Sequence, residues 1–166
     1  ASQRIFIMKR RFENASDLIV GTIGQPGERE FYLQFSNETE VLSFAIEKQQ
    51  VAALVDRFNI LLKDLKSRGI SADQMMLPKL QVPLMSEFSV SEIAISWNLN
   101  LKRIHLYLAA EDSNNQVDVF LTPDNISTFV KEAIKVISSG RAICPFCSLP
   151  INQDGHLCPR ANGYRR

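Results

Sequence analysis

The sequence lacks any long apolar run. None reaches the roughly 18 residues that a transmembrane helix needs, so we expect no membrane association. The apolar run at residues 5–8 is also too short for the core of a signal peptide. We therefore expect a cytoplasmic protein.

The sequence also has no excess of positive or of negative charge. Lysine and arginine number 19 and the acidic residues 18, which leaves a net charge of +1. This balance gives no global argument for binding nucleic acid or an anionic membrane. The hydrophobic fraction of 45% is ordinary for a globular protein, and 166 residues suffice for one domain with its own core and a small appendage.

Histidine and cysteine are scarce, with two and three residues. All the cysteines lie between residues 144 and 158, and an odd number in one segment argues against a disulfide framework. A reducing compartment fits this usage. His105 lies in a predicted strand, where a polar cross-strand role is favoured over that of a catalytic base. No catalytic constellation is recognisable, so enzymatic activity stays open and a non-enzymatic protein is favoured.

The body of the chain predicts one structural unit that occurs twice. Apolar residues that recur at steps of three and four predict one helix in each half, and Gly69 is the expected end of the first helix. An offset of 75 residues superposes the apolar positions without a gap, and matches Leu33 with Leu108. Unrelated hairpin-plus-helix units would share much of this pattern, but the constant phase favours a duplication. The predicted strands and helices lie at 17–24, 29–36, 40–47 and 51–65, and again at 91–99, 101–110, 116–121 and 126–138.

We predict an α+β fold, in which duplicated βββα units form antiparallel sheet packed by two helices. The body spans residues 1–139, with pseudo-repeats at about 15–69 and 90–139, and residues 4–12 are expected to add an edge strand. The connection at 66–89 holds Met75, Met76 and Met85. It is expected to pack along the body, and the alternative is a methionine-rich docking surface.

The two predicted helix starts differ in how well their residues favour helix initiation. Thr122, Pro123 and Asp124 suit the N-cap and the first turn. At the aligned position of the first helix, Lys48 places a positive charge at the positive end of the helix dipole, at a cost of a few tenths of a kcal/mol. Lys48 either pairs with Glu47 or points into water, or it marks a site for a phosphorylated ligand. The residues of such a site would be Arg29, Gln34, Glu47, Lys48 and Gln49.

The C-terminal segment has the spacing of a metal site. Cys144 and Cys147 are separated by two residues, and His156 and Cys158 follow a turn-prone stretch at 152–155. A Cys3His set suits a closed, tetrahedral and structural Zn2+ site. We therefore predict a zinc-knuckle-like module at 140–166, folded largely by its metal. A redox pair or free thiols are the alternatives.

The same segment is rich in arginine and could contact nucleic acid. Arginines would bind phosphates and a tyrosine would stack on a base. The rest of the chain has no basic stripe, so this interpretation is not favoured. The residues concerned are Arg160, Tyr164, Arg165 and Arg166.

Three stretches together resemble one uncharacterised bacterial family, DUF3090. They are the segment CPFC to GYRR at 144–166, GTIGQPGEREFYLQ at 21–34 and EKQQV at 47–51. The resemblance runs from about residue 5 to 166, with departures at Ser148 and at Asp17-Leu18. It implies no established activity and suggests a phosphorylation-related pathway.

The favoured function is therefore a zinc-stabilised binding or adaptor protein with a protein partner. The alternatives are an enzyme or small-ligand protein that binds a phosphorylated metabolite near the first helix start, and a nucleic-acid-binding protein that uses the basic C-terminal segment.

Overall fold

The computed structural model describes residues 9–24, 27–76, 79–82, 84–112 and 114–138. These residues form an α+β fold, and no described helix is both long and apolar enough to cross a membrane. In chain order the elements are β1 (Lys9–Phe12), β2 (Asp17–Ile23), β3 (Glu30–Ser36), β4 (Val41–Ile46), α1 (Lys48–Ser67), β5 (Ser86–Ser89), β6 (Glu92–Asn98), β7 (Arg103–Ala109), β8 (Gln116–Leu121) and α2 (Pro123–Ser138).

The described strands form two four-stranded sheets, and each sheet contains strands from both halves of the chain. Their orders are β1-β8-β7-β6 and β2-β3-β4-β5. β1 pairs in parallel with β8, and β5 pairs in parallel with β4, whereas the hairpin pairs are antiparallel. The leading strand of each half thus completes the sheet of the other half. The sequence predicted β1 as an edge strand, but β5 was missed inside the 66–89 connection.

The repeat is real in topology, but its register differs from the ungapped prediction. Leu33 pairs with Phe44, and Leu106 pairs with Val119. Val119 follows Phe44 by 75 residues, whereas Leu106 follows Leu33 by only 73. The predicted match of Leu33 with Leu108 is therefore wrong by two residues. Because side chains alternate with period 2, this slip keeps every side chain on its own face, so hydrophobic patterning does not reveal it.

The core is built from the apolar faces of the two sheets and the helices. Phe12 of β1 meets Phe35 of the other sheet edge-on, with ring centroids 5.0 Å apart. Phe58 of α1 meets Phe129 of α2 at 5.7 Å and 90°. All four rings are buried. These aromatic contacts join sheet to sheet and helix to helix, so the two halves share one core.

Gly69 ends α1, as its position in the sequence predicts. Its φ of 87° is a left-handed conformation that glycine adopts without steric cost. The N–H groups of Gly69 and Ile70 donate to the carbonyls of Lys66 and Leu65, which satisfies the last turn of the helix. The chain then enters the segment 70–85, whose described residues (70–76, 79–82, 84 and 85) we call the strap.

The strap is held at two places before it reaches β5. Near its start, the N–H of Asp73 donates to the carboxylate of Asp124 at 2.7 Å, and the N–H of Met75 donates to Thr128 Oγ1 at 2.9 Å. Further on, Gln81 bonds through both its N–H and its C=O to the side-chain amide of Gln34. The strap backbone therefore packs along the body, as predicted.

Candidate functional site

The structure separates Gln34 from the rest of the predicted ligand set. Phe31 pairs with Ile46, so Arg29 and the start of α1 lie at the same end of the β3–β4 hairpin. Gln34 lies five residues further along β3, which is about 16 Å at the usual rise of a strand. The site built from Arg29, Glu47, Lys48 and Gln49 stays a prediction, without Gln34.

Gln34 instead has a structural role, because its side chain holds the strap backbone against β3. Its side chain is buried, and its Nε2 donates to Ser43 Oγ at 3.0 Å and to the carbonyl of Gln81 at 3.2 Å. Its Oε1 accepts the N–H of Gln81 at 2.8 Å. The amide thus pairs with the strap backbone as a neighbouring strand would, and both of its N–H donors are used within the fold.

α1 begins at Lys48, as expected, but its start is better capped than the sequence suggested. Gln50 Oε1 accepts the N–H of Glu47 at 2.8 Å, and the Glu47 side chain accepts the backbone N–H of Gln50. This is a capping box with glutamate in the place of the usual serine or threonine. The box offsets part of the cost of Lys48, and the Glu-x-x-Gln spacing was the signal that could have revealed it.

The position of α2 that corresponds to Gln50 carries Asn125. The side chain of each residue caps its own helix and also bonds to the backbone of a distant segment. Asn125 Oδ1 accepts the N–H of Thr122 at 3.0 Å, and its Nδ2 donates to the carbonyl of Ser16 at 2.9 Å. Gln50 Nε2 likewise donates to the carbonyl of Val90 at 2.9 Å. Each helix start is therefore tied to the segment that leads into the first hairpin of the other half.

His105 has the cross-strand polar role that the sequence predicted. Its Nε2 lies 2.6 Å from Asp118 Oδ1, and its ring stacks on Phe120 with centroids 4.5 Å apart. The guanidinium of Arg11 lies 4.5 Å from the centroid of the same ring. Arg11 and His105 come from the strands on either side of β8, so they cover Phe120 on a sheet face that would otherwise expose it.

The strap presents apolar side chains to solvent although its backbone is held. Met76 is 94% exposed, Met85 is 86% exposed and Val82 is 67% exposed. The connection packs along the body through Asp73, Met75 and Gln81, as expected, but the side chains of Met76 and Met85 do not take part in this packing. The alternative of a methionine-rich surface fits the described residues.

A cavity of about 170 Å³ opens between the first half of α1 and the beginning of β6. Ala53, Leu54 and Ile93 give it an apolar wall, and Arg57 adds the one charged residue of its described lining. Gln50 and Ser91 complete the lining. None of the five predicted ligand residues lines this cavity, and composition and periodicity gave no signal for it.

The predicted zinc ligands Cys144, Cys147, His156 and Cys158 lie outside the described residues, so the metal site stays a prediction. The same holds for the predicted nucleic-acid contacts, which are Arg160, Tyr164, Arg165 and Arg166. Within residues 9–138, apart from the few positions left undescribed, no group of three or more potential ligand side chains converges as a metal site would require.

Comparisons with curated proteins and with solved structures each gave no match. The sequence profile of one family matches residues 10–158, which include all four predicted zinc ligands. The description of that family is "Protein of unknown function (DUF3090)". This match covers most of the chain, and the protein therefore belongs to the DUF3090 family.

Proposed function

We propose that the protein is a zinc-stabilised binding or adaptor protein that docks a protein partner through the strap. The observation that carries this proposal is the exposure of Met76, Val82 and Met85 within ten residues of chain. Single exposed apolar residues are normal on a protein surface, but a cluster on one held segment is typical of an interaction site.

The chemistry of the strap suits a partner with an apolar surface. Methionine is unbranched and polarisable, so it adapts to apolar surfaces of varied shape. The backbone is already held by Gln34 and by the start of α2, so little backbone entropy remains to be lost on binding. A held backbone with exposed methionines supports a docking role better than a catalytic one.

The docking proposal is tested with the full chain as bait in an extract of its native host. Partners are identified by mass spectrometry, purified and titrated by calorimetry. The double variant Met76→Glu/Met85→Glu is expected to bind the partner at least about tenfold more weakly, because each change places a charge in an apolar contact. Leu99→Glu, at a residue that is 76% exposed in the turn after β6, is the matched control. Equal affinity of the double variant and the wild type would contradict docking through the strap.

The zinc part of the proposal rests on the spacing of Cys144, Cys147, His156 and Cys158 and on the donor preferences of Zn2+. Elemental analysis of protein purified without added zinc is expected to give about one zinc per chain, as four ligands of this type hold one ion. Cys144→Ser and Cys158→Ser should each lose the metal. His105→Ala, which removes the other histidine, should retain it. Wild-type protein without stoichiometric zinc would contradict this part.

A further inference from the structure

The four edge strands of the two sheets are protected to different degrees. β1 has only four residues and carries three exposed cations, Lys9, Arg10 and Arg11. β5 is equally short, and its pairing with β4 is irregular. β2 has seven residues, but its first four are buried on both faces. Short length, positive charge, irregular pairing and burial all discourage pairing with another chain.

β6 has none of these protections. It also has seven residues, it pairs regularly with β7 along its whole length, and its only charged residue is Glu92. It contains neither proline nor glycine. From Glu92 to Trp97 its residues alternate between exposed and half-buried, and no described strand lies along its outer edge. A row of backbone N–H and C=O groups is therefore presented on that side, which is a template for one more strand.

The cavity beside α1 lies at the beginning of this edge. The inward-facing residues of β6, Ile93, Ile95 and Trp97, are only half-buried, so the apolar face of the sheet continues to its rim. Ile93 lines the cavity together with Ala53 and Leu54 of α1. A sheet edge beside a helix, with an apolar pocket between them, is the arrangement that strand addition uses. Backbone bonds then supply affinity, and pockets for alternate side chains supply specificity.

Arg57 indicates which side chain an additional strand at this edge would carry. Its side chain is exposed at the cavity, and its guanidinium forms no ion pair with any described residue. An extended segment directs every second side chain to one face, so an apolar residue in the cavity puts its neighbours two positions away on the same side. An aspartate or glutamate at such a position would meet Arg57.

We propose that the β6 edge binds an extended segment of a partner protein as an additional strand. An apolar side chain of that segment fills the cavity, and an acidic side chain two residues away pairs with Arg57. A second copy of this chain fits less well, because the inward-facing residues of its own β6 are Ile93, Ile95 and Trp97 and include no carboxylate. This inference extends the proposed binding function to a second surface, and it does not depend on the strap.

Blocked seven-residue peptides are the probe, in which threonine alternates with leucine or valine and one inward position carries aspartate. A matched set has asparagine at that position. The sole tryptophan, Trp97, lies on β6 and reports binding by fluorescence, and hydrogen exchange reports protection of the β6 amides. The aspartate peptides are expected to bind saturably, with protection of β6, and about fivefold more tightly than the asparagine peptides.

Two variants test the site. Arg57→Gln should remove the preference for aspartate, and Ala53→Phe should fill the cavity and weaken all the peptides. Lys63→Gln, at another exposed residue of α1, is the control and should bind as the wild type does. Met76→Glu/Met85→Glu should keep full peptide binding, so failure at the strap and failure at the edge are distinguishable.

Two results would overturn the proposal. One is the absence of any change in Trp97 fluorescence or β6 exchange at millimolar peptide. The other is a concentration-dependent dimer in analytical ultracentrifugation that protects the β6 amides while the peptides do not bind. That second result would assign the edge to another copy of this chain.

Discussion

The two halves of the body follow one plan but differ on the outer faces of their sheets. In the first half the strap crosses that face. A Cβ added to Gly21 would lie 2.7 Å from Leu80 Cδ2, and Gln34 binds the backbone of Gln81. The corresponding positions in the second half are Ser96 and Tyr107, and no described segment crosses them.

The outer face of the second sheet is covered by side chains of its own strands. Tyr107 donates to Gln116 Oε1 at 3.3 Å, and His105 and Asp118 bond beside Phe120. The first half therefore uses its outer face to hold a connecting segment, whereas the second closes its face with a polar cluster and leaves the β6 edge open. The shared core constrains both halves, and the solvent-facing positions are where they differ in role.

The largest expected effect comes from the strands that cross between the halves. Phe12→Ala and Phe88→Ala should each reduce the free energy of unfolding by about 3 kcal/mol, the usual cost of emptying a buried phenylalanine site. Phe12 contacts Phe35 in the other sheet, and Phe88 contacts Phe44 of β4. Because each sheet needs a strand from the other half, urea unfolding followed by Trp97 fluorescence and by circular dichroism should coincide in both variants. Two separate transitions would show that the halves unfold independently.

The helix caps give the next comparison. Asn125→Ala should cost about 2 kcal/mol, because it removes the cap and the bond to Ser16 at a buried site. Gln50→Ala removes the matching two hydrogen bonds. Because Gln50 is half-buried, water can bond to the groups left without a partner, and the change should cost about 1 kcal/mol. Chemical unfolding of both variants measures the difference. Equal costs would mean that burial does not distinguish the two caps.

The outer faces can be compared through Gln34 and its counterpart Tyr107. Gln34→Leu should cost about 1 kcal/mol, because it leaves Ser43 and the strap without their bonds, and it should raise protease cleavage within 70–85. Tyr107→Phe removes one long and partly exposed bond, so it should cost less and leave the strap protected. A strap equally resistant to protease in wild type and Gln34→Leu would show that other contacts hold it.

The smallest effect concerns the ion pair that links β1 with the turn before β4. The hydrogen bond and charge of Arg10 hold the pKa of Glu40 below its ordinary value of 4.5. The folded state therefore binds this proton less readily than the unfolded state. The pair stabilises the protein above pH 4.5, and its contribution is lost as the pH falls through the lowered pKa of the folded state. The stability difference between wild type and Glu40→Gln should shrink over that range. Glu38→Gln is the control, and a difference independent of pH would contradict the assignment.

The sequence predicted the features that depend on neighbouring residues. Periodicity located both helices, the turn at Gly69 and the cap at Thr122 were recognisable, and the strands of both hairpins lay close to their predicted positions. Lys48 was also placed correctly at the first turn of α1. The capping box of Glu47 and Gln50 was missed because glutamate is an uncommon N-cap, although the spacing was present.

The residues of the candidate site could not be predicted in the same way from their neighbours in the sequence. Gln34 was grouped with Lys48 because it belongs to a neighbouring predicted strand, yet five residues of strand separate it from the helix start. Arg57 and Ile93 were not singled out, because nothing in their local sequence marks them. They meet only because α1 of the first half packs against β6 of the second.

The sequence by itself determined both helices, the strands of both hairpins and the cap at Thr122, because periodicity, capping and turn residues act over a few positions of chain. Only the tertiary structure decided that β1 and β5 exchange sheets, that β7 is slipped by two residues and that β6 is left open at its edge. A slip of two residues and an exchange of edge strands leave each side chain on the same face. The hydrophobic pattern is then unchanged, and only the pairing of distant strands distinguishes the alternatives.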